Sequence, residues 1–323
     1  RKRGAAAALV TYVLLVLAIS DTDLVLAHLR PVPDRWRGKA VLVTGASSGI
    51  GEALALALSA EGAYLVLAAR DLGKLKAVQQ RLASPELSAI VQLDMGEPES
   101  MPSRAREILA ATPAGRLDGF VNNAGISQRE SVLTTSYETE LRLMTVNHLG
   151  PMALTKALLP SLIESGGCIL SMNSIAGKIG PPLRSGYAAS KHASKGFFES
   201  VRADLAVADK AVTLTNVMLG STNTELPRHA LRGDGSPMLD AVVDDNLRRG
   251  LAPERVASLA LTAAANGVWE AWVARPGVEK HVGLYLSQYA PSLFRVVAVS
   301  AAKRHAGRAL SNLSAGKTES DRP

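Results

Sequence analysis

The chain has 323 residues, 47% of them hydrophobic and only 4% aromatic, so Ala, Leu and Val must carry one large core of the kind formed by helices packed on a buried parallel sheet. Its net charge of +7 is not gathered into a basic run interleaved with aromatics, which argues against nucleic acid as a partner and leaves a solvated surface with affinity for anionic lipid or an anionic cofactor. The single cysteine, Cys168, excludes an internal disulfide and a CxxC metal site, so no metal is expected; its apolar strand context marks it as a core residue.

Residues 1–20, RKRGAAAALVTYVLLVLAIS, begin with three basic residues and continue with the uncharged, mostly apolar stretch from Gly4 to Ser20. As a helix that stretch would span about 25 Å, near the lower limit for crossing a bilayer. A membrane anchor is expected; a secretory signal, cleaved after the small residues around Ala18-Ile19-Ser20, is the alternative. Basic residues on both sides, Arg1 to Arg3 before and Arg30, Arg35 and Arg37 after, leave the orientation open. Residues 21–38 form a connector that ends in the proline-bearing RPVPDRWRG.

The domain spans residues 39–290. KAVLVTG, an apolar run ending in glycine, predicts a strand buried on both faces, and SSGIGEALALALSAEGA has apolar residues at helical spacing. YLVLAAR is a second strand, DLGKLKAVQQRLA a second helix, AIVQLDM a third strand and LDGFVNNAG a fourth. One long helix is predicted from Tyr137 to Glu164, then a fifth strand in GCILSMNS, a helix carrying SGYAASKHASKGFF, and a sixth strand in AVTLTNVML. Strands alternating with helices give an α/β fold with a doubly wound parallel sheet and right-handed crossovers. The stretch from Asn223 to Gly250, rich in Pro, Gly and Asp, is expected to be mobile over a site. Residues 291–323 are expected to hold a helix, apolar early and basic late, that lies on a membrane surface or docks on the domain, followed by a flexible tail.

Three stretches point to a dinucleotide. TGASSGIG puts Gly45, Gly49 and Gly51, with Ser47, Ser48 and Ile50 between them, directly after the first strand and at the start of a helix. Glycine lets a turn approach a pyrophosphate, and the helix N-terminus offers N–H donors and positive potential. The spacing is G-x-x-x-G-x-G, not the commoner G-x-G-x-x-G. Arg70 ends the second strand, where an arginine would pair with the 2′-phosphate of NADP and an acidic residue would take the 2′-hydroxyl of NAD. Ala69 leaves the acidic option empty, although Asp71 follows. Asp94, at the end of the third strand, is placed among the cofactor contacts. NNAG closes the fourth strand, and Asn123, Ala124 and Gly125 lie where ligands sit in open α/β sheets. Taken singly, each has a plain alternative: a tight turn, a solvated arginine, an ordinary loop.

In this order and spacing TGASSGIG, NNAG, Asn147, Ser174 and YAASK resemble the short-chain dehydrogenase/reductases, over about Lys39 to Ala274. The resemblance implies a Rossmann-type sheet, and two copies that pair through the two long helices. It implies Tyr187 as general acid, Lys191 as its activator, Ser174 as carbonyl polariser and Asn147 as holder of a relay water. Ser174 and Tyr187 would meet the substrate, Tyr187 and Lys191 the nicotinamide ribose, and Thr222 the carboxamide. The chain departs from many members in having Leu219-Gly220 where they have Pro-Gly. NNAGISQR, GYAASKHASKGFF and YLSQYAP are similar to the dehydrogenase/reductase family member 7 group, whose members are membrane-anchored enzymes of the endoplasmic reticulum acting on lipophilic carbonyls. The expectation is an NADP(H)-dependent oxidoreductase for a lipophilic ketone or aldehyde and its alcohol, steroid-, retinoid- or lipid-like. A 3-ketosphinganine-type or 3-oxoacyl reductase is one alternative; a non-catalytic binding or scaffold protein on the same fold is another.

The spacing of Tyr187 and Lys191 has its own physical content. Residues i and i+4 share a helix face. An ammonium about 4 Å from a developing phenolate is worth on the order of 4 kcal/mol at an effective dielectric of 20. That makes a phenol a usable proton carrier near neutral pH.

Overall fold

The computed structural model describes residues 30–238, 250–275 and 283–306, together with residue 11. Seven short segments form one sheet: β1 (Ala40–Thr44), β2 (Tyr64–Ala69), β3 (Ser88–Gln92), β4 (Gly119–Asn122), β5 (Cys168–Met172), β6 (Thr213–Leu219) and β7 (Glu270–Val273). Their order is β3-β2-β1-β4-β5-β6-β7, and every pairing is parallel. All of β1 is buried because helices cover both faces, which is why its sequence runs apolar instead of alternating.

Successive residues of each strand still divide between two cores. Val41, Val43, Leu65 and Leu67 face α1 (Gly49–Ala60). Leu42, Val66, Phe120 and Ile169 face the helices on the other side of the sheet. Those are α3 (Met101–Ala110), α5 (Gly150–Ser165) and α6 (Ser185–Val207), α2 (Leu72–Gln79) lying between β2 and β3 in the chain. After β3 the chain returns to place β4 beside β1. The crevice at the carboxyl ends of β1 and β4 is therefore the switch point where doubly wound sheets bind ligands. TGASSGIG and NNAG flank it.

The structure departs from the sequence expectation in five places. The helix from Tyr137 to Glu164 is broken: α4 (Tyr137–Met144) passes into a π-helical segment, Thr145–Leu149, before α5 begins. Gly150 N bonds Thr145 O, a five-residue step, and Pro151 has no N–H to return to the carbonyl of Asn147. Helix α3 was not expected, nor were α7 (Pro253–Ala265) and the edge strand β7. The described part of the Asn223–Gly250 stretch is fastened, not loose: Leu231 N bonds Ser127 O at 2.8 Å, Arg129 N bonds Leu231 O at 3.0 Å, and Leu231 is buried. The rest of that stretch, residues 239–249, lies outside the described residues.

The stretches expected to form an N-terminal anchor and a C-terminal tail also fall outside the described residues, apart from residue 11. Among the described residues no helix is long and apolar enough to cross a membrane. The expected C-terminal helix is present as α8 (Pro291–Ala306). Phe294 and Val297 are half-buried, while Leu293, Val296 and Val299 face outward.

Candidate active site

At the switch point the glycine-rich turn is held by the end of β4. Thr44 Oγ1 donates to Val121 O and accepts from Asn123 N at 3.0 Å. Asn123 Nδ2 donates to Thr44 O at 3.0 Å and to Gly45 O at 3.4 Å, so its amide secures the turn from the side. Gly45 has φ +65°, and a Cβ there would stand 2.9 Å from Ala124 Cα. A Cβ on Gly51 would overlap the Gly45 carbonyl oxygen, so β1, the turn and α1 approach as closely as backbones can. Ser47 is half-buried in the turn. Ser48 is the N-cap of α1, and its side chain makes no capping bond. Ile50 lies half-buried in the first turn of the helix. Helix N–H groups, an uncommitted hydroxyl and backbone without side chains suit a pyrophosphate.

The carboxyl ends of β2 and β3 supply the next part. Arg70 and Asp94 line one cavity of about 360 Å³, together with Ile126, Thr145 and Val146. Arg70 is exposed. Asp94 Oδ1 accepts from Gly96 N at 2.8 Å, which fixes the carboxylate in its loop. Glu138, Leu141 and Arg142 of α4 line it as well, so the cavity at the ends of β2 and β3 offers two cations, two carboxylates and apolar surface.

The remaining residues meet on the other side of β4. Asn147, in the π-helical segment, is buried. Its Oδ1 accepts from Ile126 N at 2.8 Å, and its Nδ2 donates to Ile126 O and to Ser190 Oγ, each at 3.0 Å. Ser190 Oγ in turn donates to Tyr187 O at 2.8 Å. A Cβ on Gly125 would be 3.0 Å from Asn147 Oδ1 and 3.7 Å from Lys191 Nζ, which places both against NNAG. Tyr187 and Lys191 are buried on the same face of α6, with Lys191 Nζ 5.8 Å from the Tyr187 ring centroid. Ser174 ends the extension of β5; its Oγ accepts from Ala176 N at 3.1 Å. That bond leaves its hydroxyl proton to give. Thr222 follows β6 and is buried, its segment bridged to Leu251.

Two residues that the motif reading left aside hold the site together. Asn173 accepts from Ser174 N at 2.8 Å and donates to Lys191 O at 3.2 Å, tying the serine to the lysine helix. Gln128 is fully buried; its Oε1 accepts from Gly186 N at 3.1 Å and Tyr187 N at 3.4 Å, capping α6 just where the tyrosine leaves it. Neither had a signal beyond being polar in an apolar neighbourhood. Cys168 sits in β5 as a core residue, its thiol pushed up to about 11 by burial, so it is no nucleophile.

The geometry is that of a nucleotide-binding α/β oxidoreductase. The family model described as short chain dehydrogenase matches residues 39–234, and the chain belongs to the short-chain dehydrogenase/reductase family. Within it the chain falls in the dehydrogenase/reductase family member 7 group. It is 39% identical over 272 residues to dehydrogenase/reductase SDR family member 7B of Xenopus laevis, covering 82% of each chain. It is 36% identical over 263 residues to the family protein 7-like of Drosophila melanogaster, covering 80% of this chain and 78% of the other. Among solved structures, an alcohol dehydrogenase from Thermococcus sibiricus, complexed with 5-hydroxy-NADP, superposes with a TM-score of 0.62 at 26% identity, over 75% of this chain and all of the other. The fold is also that of a short-chain dehydrogenase/reductase from Burkholderia phymatum, complexed with NAD, with a TM-score of 0.68 at 23% identity over 80% of this chain and 96% of the other.

Proposed function

We propose that the protein interconverts a lipophilic ketone or aldehyde and its alcohol, using NADP(H), at the surface of the endoplasmic reticulum membrane. The observation that carries the reading is the convergence of Tyr187, Lys191, Ser174 and Asn147 beside the glycine-rich turn, linked by Asn173 and Ser190. The cradle of Gly45 and Gly51 fits a dinucleotide, which when bound supplies or accepts the hydride. The chain's own groups do the rest. Ser174 Oγ donates to the carbonyl oxygen, where negative charge develops. Tyr187 passes its phenolic proton to that oxygen, and the Lys191 ammonium stabilises the phenolate left behind. The carboxamide of Asn147 already makes three hydrogen bonds, so a water that returns the proton is held by its backbone carbonyl, which Pro151 leaves without the usual helical donor. A cofactor-linked screen of steroid, retinoid, sphingoid and acyl carbonyls tests the reading. NADPH oxidation with a lipophilic ketone or aldehyde is expected, and no turnover across the panel rejects it.

Two finer parts of the reading have their own tests. Arg70 is exposed at the mouth of the adenosine cavity, where a guanidinium can take a 2′-phosphate in two hydrogen bonds. Arg70→Ala is expected to weaken NADPH about 10- to 30-fold while leaving NADH nearly unchanged, the loss of one charge-assisted contact. Equal losses for both cofactors, by fluorescence titration, would reject the 2′-phosphate role. The anchor rests on the apolar stretch from Gly4 to Ser20 and on the membrane-bound habit implied by the family resemblance. The full-length protein is expected to stay in the pellet after alkaline carbonate washing, and recovery in the supernatant would overturn it.

A further inference from the structure

We propose that Glu270 is a positioning residue that sets the distance between Ser174 and Tyr187. The inference rests on the reading of those two groups as the pair that meets the carbonyl.

Glu270 opens the edge strand β7, far along the sheet from the cofactor cradle. Its carboxylate takes one cation from each of the two elements that carry the pair. Oε1 pairs with Lys178 Nζ at 2.8 Å, and Oε2 with Lys195 Nζ at 3.7 Å. Lys178 closes the short turn Ile175–Gly177 that Ser174 opens. Lys195 lies one helical turn beyond Lys191 on α6, on the same face. Trp272 of β7 adds its indole N–H to Oε1, and the Lys178 ammonium stands 5.1 Å from the Trp272 ring centroid. Lys195 also pairs with Glu199, one turn further along α6.

The cluster is secluded. Side-chain exposure is 9% for Lys178, 19% for Lys195 and 20% for Glu270, so solvent screens these charges far less than an ordinary surface pair. The Ser174 turn has little other freedom. A Cβ on Gly177 would stand 2.9 Å from Lys191 O, so the turn already rests on the backbone of α6. Ile175 packs against Met218, Trp272 and Tyr285. Glu270 pulls Lys178 toward β7 while Gly177 presses on α6, and Ser174 lies at the end of that lever. Without the carboxylate, the nearly buried Lys178 ammonium keeps only a long contact to Gln288 Oε1 at 3.5 Å and the face of Trp272, and must reach for water, drawing the turn with it. A displacement of about 1 Å between reacting groups is enough to cost on the order of a hundredfold in rate.

Glu270→Gln is therefore expected to lower kcat at least tenfold with the best carbonyl substrate of the screen. The KM for NADPH should hold within about twofold, because the cradle lies on β1 and α1. Lys178→Met should do the same, and the double variant should be no slower than the slower single one. Glu270→Asp should recover part of the rate. In a Ser174→Ala background Glu270→Gln should cost little more. An unchanged kcat in a folded Glu270→Gln protein overturns the inference, as does an equal fractional loss in the Ser174→Ala background. If Glu270→Gln does not fold, Lys178→Met is read by the same criteria. Absence of turnover in the unmodified protein would instead reject the reading of the site on which this rests.

Discussion

Tyr187→Phe is expected to lower turnover about 10³-fold without loss of fold, the size of effect that removal of a positioned proton donor produces. The substitution removes one oxygen and leaves the ring. The ring is buried in the small cluster with Leu143, Ala176 and Ala188, so its packing survives. The backbone of the residue is fixed from outside the side chain, by Gln128 Oε1 on its N–H and by Ser190 Oγ on its carbonyl. Lys191 is held independently, its Nζ 3.5 Å from Met172 O and its carbonyl tied to Asn173. NADPH affinity and melting temperature should therefore stay close to those of the unmodified protein while kcat collapses. A Tyr187→Phe protein that turned over at the original rate would remove the phenol from the mechanism, and with it the reason for the Lys191 spacing.

The parts of this protein legible in its sequence are those whose cause is local. Strands β1, β2, β4 and β5 were visible because burial on both faces demands continuous apolar runs, and the glycine-rich turn because close backbone approach demands missing side chains. Strand β7 was not visible: EAWV is four residues long and begins with a carboxylate, which makes sense only once Lys178 and Lys195 are known to converge on it. Helix α3 was missed because MPSRAREILA carries a proline and three charges, and its apolar stripe needs only Met101, Ala105 and Ile108 to bury. Tyr187 and Lys191 could be placed together from a four-residue spacing, whereas the bridge of Asn173 from Ser174 to Lys191 joins β5 to α6 and exists only in three dimensions. The π-helical segment falls between these cases. Gly150-Pro151 announces trouble in the hydrogen-bond ladder, but not that the ladder widens and keeps going.

That widened turn carries the second large prediction. Asn147→Leu is expected to lower the melting temperature by about 10 °C and turnover by about a hundredfold. Leucine is close in size, so the loss is one of hydrogen bonds. Asn147 alone serves both Ile126 N and Ile126 O, just beyond NNAG, and also reaches Ser190 on α6. Stranding buried amide groups costs about 1–3 kcal/mol each. With two Ile126 groups left unpaired, the sum is about 2–6 kcal/mol, whose middle corresponds to the stated shift for a domain of this size. The loss of turnover has a separate origin. The same carboxamide holds the loop after β4 against the π turn, so without it Gly125, which lies between Asn147 and Lys191 Nζ, is no longer held in place. Asn147→Asp keeps an acceptor for Ile126 N but sets a buried carboxylate oxygen against Ile126 O, so stability should fall at least as far as in Asn147→Leu. Calorimetry and steady-state kinetics on the two variants decide the matter, and an Asn147→Leu protein that melts and turns over like the original would dismiss the bridge as incidental.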